Sequence, residues 1–138
     1  MKTIKILSIE NATHNVMHIQ TEKPENFIYN SGQAADISVN KPQWKDEIRP
    51  FTFTSLPQDN HLEFFIKVYP EHEGVTEQIG KLHKGDSLNI GDVFGEIAYK
   101  GEGIFIAGGA GITPFIAIFK KLQSERKVGN NKLIFANK

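Results

Sequence analysis

The chain has 138 residues, enough for one domain with a substantial core, or one domain and part of a second. Sixteen Lys and Arg balance sixteen Asp and Glu, so net charge is zero and no general attraction to nucleic acid or anionic lipid follows. The absence of cysteine excludes disulfides, thiolate-held iron–sulfur clusters and a thiol nucleophile, and fits a reducing cytoplasm.

From the N-terminus, MKTIKILSIENAT lacks a secretory apolar region with a small-residue cleavage site. TIKILSIE alternates well and predicts a strand; HNVMHIQT alternates less cleanly, and QAADISV is short and follows Gly32. RPFTFTS, at residues 49–55, alternates aromatic and hydroxyl side chains where aliphatics would be usual. HLEFFIKVY is the strongest strand signal, while SLNIG and GEIAY read as short strands bounded by glycine. Turn signals between these runs predict an antiparallel barrel or sandwich, with one short helix over residues 76–82 that Thr76 would cap.

After Tyr99 the pattern changes. GIFIA is a continuous apolar strand of the kind found in parallel sheets covered on both faces. GGAGITP is a turn, residues 114–127 form a helix opened by proline, with Phe115, Ile118, Phe119 and Leu122 on one face, and KLIFAN is a second strand. Together they make one βαβ unit, which cannot cover both faces of its own sheet, so a domain cut short at Lys138 is expected. The uncharged run 103–119 approaches membrane-spanning length, but its glycines and Thr-Pro favour strand, turn and helix.

Three stretches carry candidate chemistry. GGAGITPF lets backbone approach a ligand at a helix start that favours an anion; it lacks the third glycine of a dinucleotide fingerprint, and a tight turn explains it equally well. Gly74, Val75 and Thr76 lead into a helix start suited to phosphate, although an ordinary threonine cap is the simpler account of these residues alone. In RPFTFTS, Arg49 suits a phosphate fork, Phe51 a planar ring and Thr52 a ring heteroatom; a strand with an exposed Arg and a half-buried Phe is again simpler when taken alone.

In order and spacing, YNSGQ, RPFTFTS, IKVY, EGVTEQIGKLHKGDSLNIGDVFGEI, GIFIAGGAGITP and LIFANK together resemble the ferredoxin–NADP reductase superfamily, and within it the flavodoxin and ferredoxin reductases. The resemblance runs from about Ile4 to Lys138. It implies a mainly β fold: an antiparallel Greek-key flavin-binding barrel over residues 1–100, then, over 101–138, the first βαβ unit of an incomplete α/β nucleotide-binding domain. FAD is implied in preference to FMN on family frequency, with NAD(P)H as co-substrate of the full protein and flavodoxin or ferredoxin as electron acceptor. The family's Arg-x-Tyr-Ser/Thr motif matches Arg49, Phe51 and Thr52, with Pro50 between; phenylalanine keeps the ring and loses the phenol. Ile66, Lys67, Val68 and Tyr69 would flank the flavin chain through their backbone, and Gly74, Val75 and Thr76 would hold its phosphate. Asp92 stands where a proline is common in the barrel's closing strands. Thr52 and Thr113 would face the flavin's reacting edge, while Gly108, Gly109, Ala110, Gly111 and Lys138 would serve NAD(P)H.

Two other readings remain: a barrel that has lost flavin and acts as a scaffold, and an oligonucleotide-binding barrel, which the neutral charge disfavours. His14 and His18 have metal spacing only if helical; in a strand they read as solvated surface, and no metal site is expected. Trp44 is expected to pack on the barrel, and no membrane or nucleic-acid partner is expected.

Overall fold

The computed structural model describes residues 1–69, 71 and 73–136. Strands β1 (Lys2–Thr13), β2 (Val16–Glu22), β3 (Ala34–Val39), β4 (Arg49–Thr52), β5 (His61–Lys67) and β6 (Ser87–Phe94) form one antiparallel sheet in the order β4-β3-β6-β1-β2-β5. Its two edges meet where the Thr54 N–H donates to the Glu63 carbonyl at 2.9 Å and the Glu63 N–H donates to Ser55 Oγ at 3.1 Å. Closure into a barrel hides backbone groups that an open sheet would leave unpaired. β1 supplies the curvature. Its residues 2–5 pair with β6 and its residues 6–13 with β2, and a register shift between Ile6 and Ser8 marks the bend from one partner to the other.

Strand alternation selects the interior. Ile37, Leu62, Phe64 and Leu88 are completely buried, and α1 (Val75–Gly80) adds Val75 and Ile79 to the same core. Phe53, the second aromatic of RPFTFTS, is a core residue: its ring stacks on Tyr29 at 4.1 Å and meets Phe64 at 5.3 Å. The Tyr29 hydroxyl donates to the Leu56 carbonyl (2.8 Å) and shares a 2.7 Å bond with Ser55 Oγ. Burial, above all, pushes this phenol up to about 12. Trp44 packs against the barrel core, as expected.

The remaining chain forms β7 (Ile104–Gly108), a 3₁₀ turn (Gly109–Ile112), α2 (Thr113–Ser124) and β8 (Lys132–Ala136), with β7 and β8 parallel. The apolar stripe of α2 serves two neighbours. Phe115 and Phe119 meet Phe105 of β7 at 5.3 and 5.2 Å, while Ile118 and Leu122 are buried beside Asn30 and Ser31 of the barrel. The other face of β7 is open, with Ile104 and Ile106 exposed.

Three local expectations change. GEIAY is not a strand: β6 runs on through Asp92 to Phe94, Gly95 turns the chain at φ +116°, and residues 95–100 form no regular element. This segment crosses the barrel so closely that a Cβ on Gly32 (φ +105°) would lie 2.2 Å from the Ile97 carbonyl oxygen. Thr76 does not cap α1, because Gly74 is the N-cap and the Thr76 hydroxyl is turned back to accept the Tyr69 N–H at 3.2 Å. His18 is not solvated surface; it stacks on Phe65 and bonds a buried carboxylate.

Candidate functional site

β4 and β5 are the two edges of the sheet, bound to each other at Thr54 and Glu63. Arg49, Pro50, Phe51 and Thr52 lie before that junction; Ile66, Lys67, Val68 and Tyr69 lie beyond it on the other strand and its continuation. The two sets thus leave one junction on the two strands that Thr54, Ser55 and Glu63 join. Phe51 is half-buried against the core and Thr52 is half-buried beside it. Arg49 is exposed: its Nη1 donates to the Ile48 carbonyl at 2.7 Å and lies 4.0 Å from a Glu47 carboxylate oxygen. The Lys67 ammonium sits 5.9 Å from the Tyr69 ring centroid.

Past β5 the chain enters α1. Gly74 is extended (φ −111°, ψ −168°), and no side chain caps the helix, so its first N–H groups are not satisfied by a cap. Val75 anchors the turn in the core. The Thr76 hydroxyl, accepting from Tyr69, retains its own proton to donate.

The glycine turn lies across a groove of about 240 Å³ from β5. Gly109, Ala110, Thr113 and Ile116 line one side; Phe65 and Lys67, with Thr13 and Val16 of the β1–β2 hairpin, line the other. Thr113 Oγ donates to the Ala110 carbonyl at 3.0 Å, tightening the entry to α2. A Cβ on Gly108, Gly109 or Gly111 would meet nothing within 4 Å, so packing does not demand these glycines, although Gly109 has φ +53°. Lys138 lies outside the described residues.

A buried polar cluster escaped the sequence reading. Glu63 points away from the barrel core and is nonetheless only 8% exposed. Its carboxylate accepts from Thr54 Oγ1 at 2.8 Å, from His18 Nε2 at 2.8 Å and from the Lys120 ammonium of α2. Burial alone would raise this carboxyl, but the bonds from Lys120, His18 and Thr54 outweigh it and hold the group below its ordinary 4.5. The available signal was HLEFFIKVY itself: apolar residues at both parities mean that both faces of the strand are covered, which leaves its one glutamate in need of partners.

An exposed arginine, a half-buried ring, the Thr76 hydroxyl with a proton to donate, an uncapped helix start and glycines facing open space are groups of the kind that suit a flavin nucleotide. The family model of the FAD-binding domain matches residues 1–94. The chain belongs to the FAD-binding domain family. This FAD-binding domain is 36% identical over 112 residues to NADH-cytochrome b5 reductase 2 of Mycosarcoma maydis, covering 77% of this chain and 32% of the relative. It is 29% identical to dual oxidase 2 of Sus scrofa, covering 94% of this chain and 9% of the relative. Among solved structures, a ferredoxin NADP+ reductase from Neisseria gonorrhoeae with bound FAD and NADP superposes with a TM-score of 0.82 at 19% identity, covering 97% of this chain and 56% of that one. The flavohem-like FAD/NAD binding domain of nitric oxide dioxygenase from Vibrio cholerae gives 0.84 at 19% identity, with 99% and 62% covered. The FAD-binding domain therefore has the expected reductase-type fold, a barrel followed by the start of a nucleotide-binding unit, and spans less than two thirds of each of these relatives.

Proposed function

We propose that this FAD-binding domain is the flavin-holding part of an NAD(P)H-dependent oxidoreductase that passes electrons to flavodoxin or ferredoxin in the cytoplasm. The observation that carries the reading is the groove in which the glycine turn and Thr113 face Phe65 and Lys67 of β5 and the β1–β2 hairpin. The chemistry FAD supplies when bound is hydride acceptance from NAD(P)H and release of electrons one at a time.

The residues divide that work. Arg49 and the turn of Gly74, Val75 and Thr76 hold phosphate, which their charge and unsatisfied N–H groups suit. Phe51, following Pro50, supplies a ring face, and the backbone of Ile66, Lys67, Val68 and Tyr69 runs along the ribityl chain. Thr52 and Thr113 place hydroxyls at the reacting edge, while Gly108, Gly109, Ala110, Gly111 and Lys138 receive the nicotinamide nucleotide. Residues 1–100 are then the flavin barrel and 101–138 the first part of the NAD(P)H-binding domain. The choice of flavodoxin or ferredoxin rests on the family resemblance alone; relatives named as a cytochrome b5 reductase and oxidases make the acceptor the first point to test. Among the described residues no helix is long and apolar enough to cross a membrane.

The test is the intact mass and visible spectrum of the purified chain before and after adding FAD. Flavin bands that stay with the protein through desalting are expected. A chain that remains colourless after reconstitution overturns the reading.

A further inference from the structure

We infer that Glu63 and Lys120 are positioning residues, a clamp that sets the orientation of α2 on the barrel and thereby the width of the groove between Thr113 and β5.

The two sides of that groove belong to separate parts of the fold. Phe65 and Lys67 come from β5; Thr113 and Ile116 come from α2. Glu63, Phe65 and Lys67 alternate along one face of β5, so the carboxylate lies at one end of the strand face that lines the groove. Thr113, Ile116 and Lys120 are spaced three and four apart, which puts them on one face of α2, with Lys120 two turns or about 10 Å from Thr113. Glu63 and Lys120 thus join the two walls beyond the end of the groove. His18 completes the joint: it bonds Glu63 and stacks at 4.5 Å on Phe65, a groove wall.

Ile118 and Leu122 are buried beside Asn30 and Ser31, and apolar burial is non-directional. The bond to a buried carboxylate is directional: moving Lys120 away leaves Glu63 short of a charged partner. Among the described residues this is the ion pair that links the barrel to α2. Its contribution is specificity of orientation more than net stability, because desolvation consumes most of the Coulomb gain.

The effect on flavin rests on the function proposed above; the orientation itself does not. Since the chain has no cysteine, spin labels can be placed at Lys5→Cys and Gln123→Cys, both exposed, and the barrel-to-α2 distance read by pulsed electron resonance without cofactor. One narrow distance is expected in the parent. Lys120→Met is expected to broaden and shift it, and Lys120→Arg to restore it, with far-ultraviolet dichroism unchanged in both. Lys120 is partly exposed, and its loss leaves Glu63 bound to Thr54 and His18, so the barrel is expected to stay folded. An unchanged distance in folded Lys120→Met overturns the clamp. In FAD-loaded protein the same variant is expected to alter the visible dichroism of bound flavin, and an unaltered signal would overturn the link from clamp to groove. A parent chain that binds no FAD would defeat the proposed function and leave the distance experiment decisive for the clamp.

Discussion

Arg49 is an exposed candidate cofactor contact on β4, and its present partners, the Ile48 carbonyl and the Glu47 carboxylate, belong to its own segment. Exchanging these for a phosphate costs little, whereas removing the guanidinium deletes charge-assisted hydrogen bonds. Arg49→Ala is therefore expected to weaken FAD binding by about 1.5–3 kcal/mol in a fluorescence titration, and an unchanged affinity would remove Arg49 from the site. Tyr29 is the opposite kind of residue, a buried polar group with a structural task. Its phenol ionises at about 12 when folded, against 10.0 ordinarily. A raised pKa means that its stabilisation is complete below pH 10 and is lost as pH rises toward 12. Denaturation midpoints measured across that window should fall in the parent, and Tyr29→Phe should be less stable below it while losing part of the alkaline slope.

At the scale of elements, a close backbone crossing fixes the 95–100 segment on the barrel, and a buried ion pair with the packing of Ile118 and Leu122 joins α2 to it. Gly32→Ala places a methyl against the Ile97 carbonyl at a left-handed φ and is expected to cost about 2 kcal/mol or more in chemical denaturation. A midpoint equal to the parent's would mean that the 95–100 segment shifts freely. Glu63 governs the acid side. Its folded pKa is depressed, so its stabilisation is present above 4.5 and lost as pH falls below that value. The acid limb of stability should flatten in Glu63→Gln, and an identical acid limb in both proteins would show that the native carboxylate is not held ionised.

For the molecule as a whole, β7 and β8 form a two-stranded parallel sheet covered by α2 on one face, with Ile104 and Ile106 bare on the other. A parallel sheet is ordinarily covered on both faces. The wall of the groove opposite β5 is built here from the glycine turn, α2 and Phe135 of β8. This chain, even when loaded with FAD, is therefore expected to reduce artificial acceptors from NADPH far more slowly than a chain extended through a complete nucleotide domain. Equal steady-state rates would show that the turn at 108–113 and α2 suffice.

What the sequence by itself determined were features governed by local periodicity and spacing. Two-residue alternation placed the barrel strands, the strand–glycine–helix order placed the βαβ unit, and the family resemblance carried by RPFT, GVT and GGAGITP implied a flavin reductase fold, with the FAD-binding family confirmed on residues 1–94. Only the tertiary structure decided contacts between distant residues. Phe51–Thr52 and Phe53–Thr54 look alike in RPFTFTS, yet only the second pair is fully buried, Phe53 as a core ring and Thr54 bound to Glu63, because closure of the barrel brings β5 against that segment. GEIAY had a strand's composition, but no partner strand was left for it once β6 filled the sheet. His18, Glu63 and Lys120 are 45 and 57 residues apart in their two pairings, so no local pattern could join them. Alternation and spacing are properties of neighbours along the chain; charge pairing in a buried joint is a property of neighbours in space.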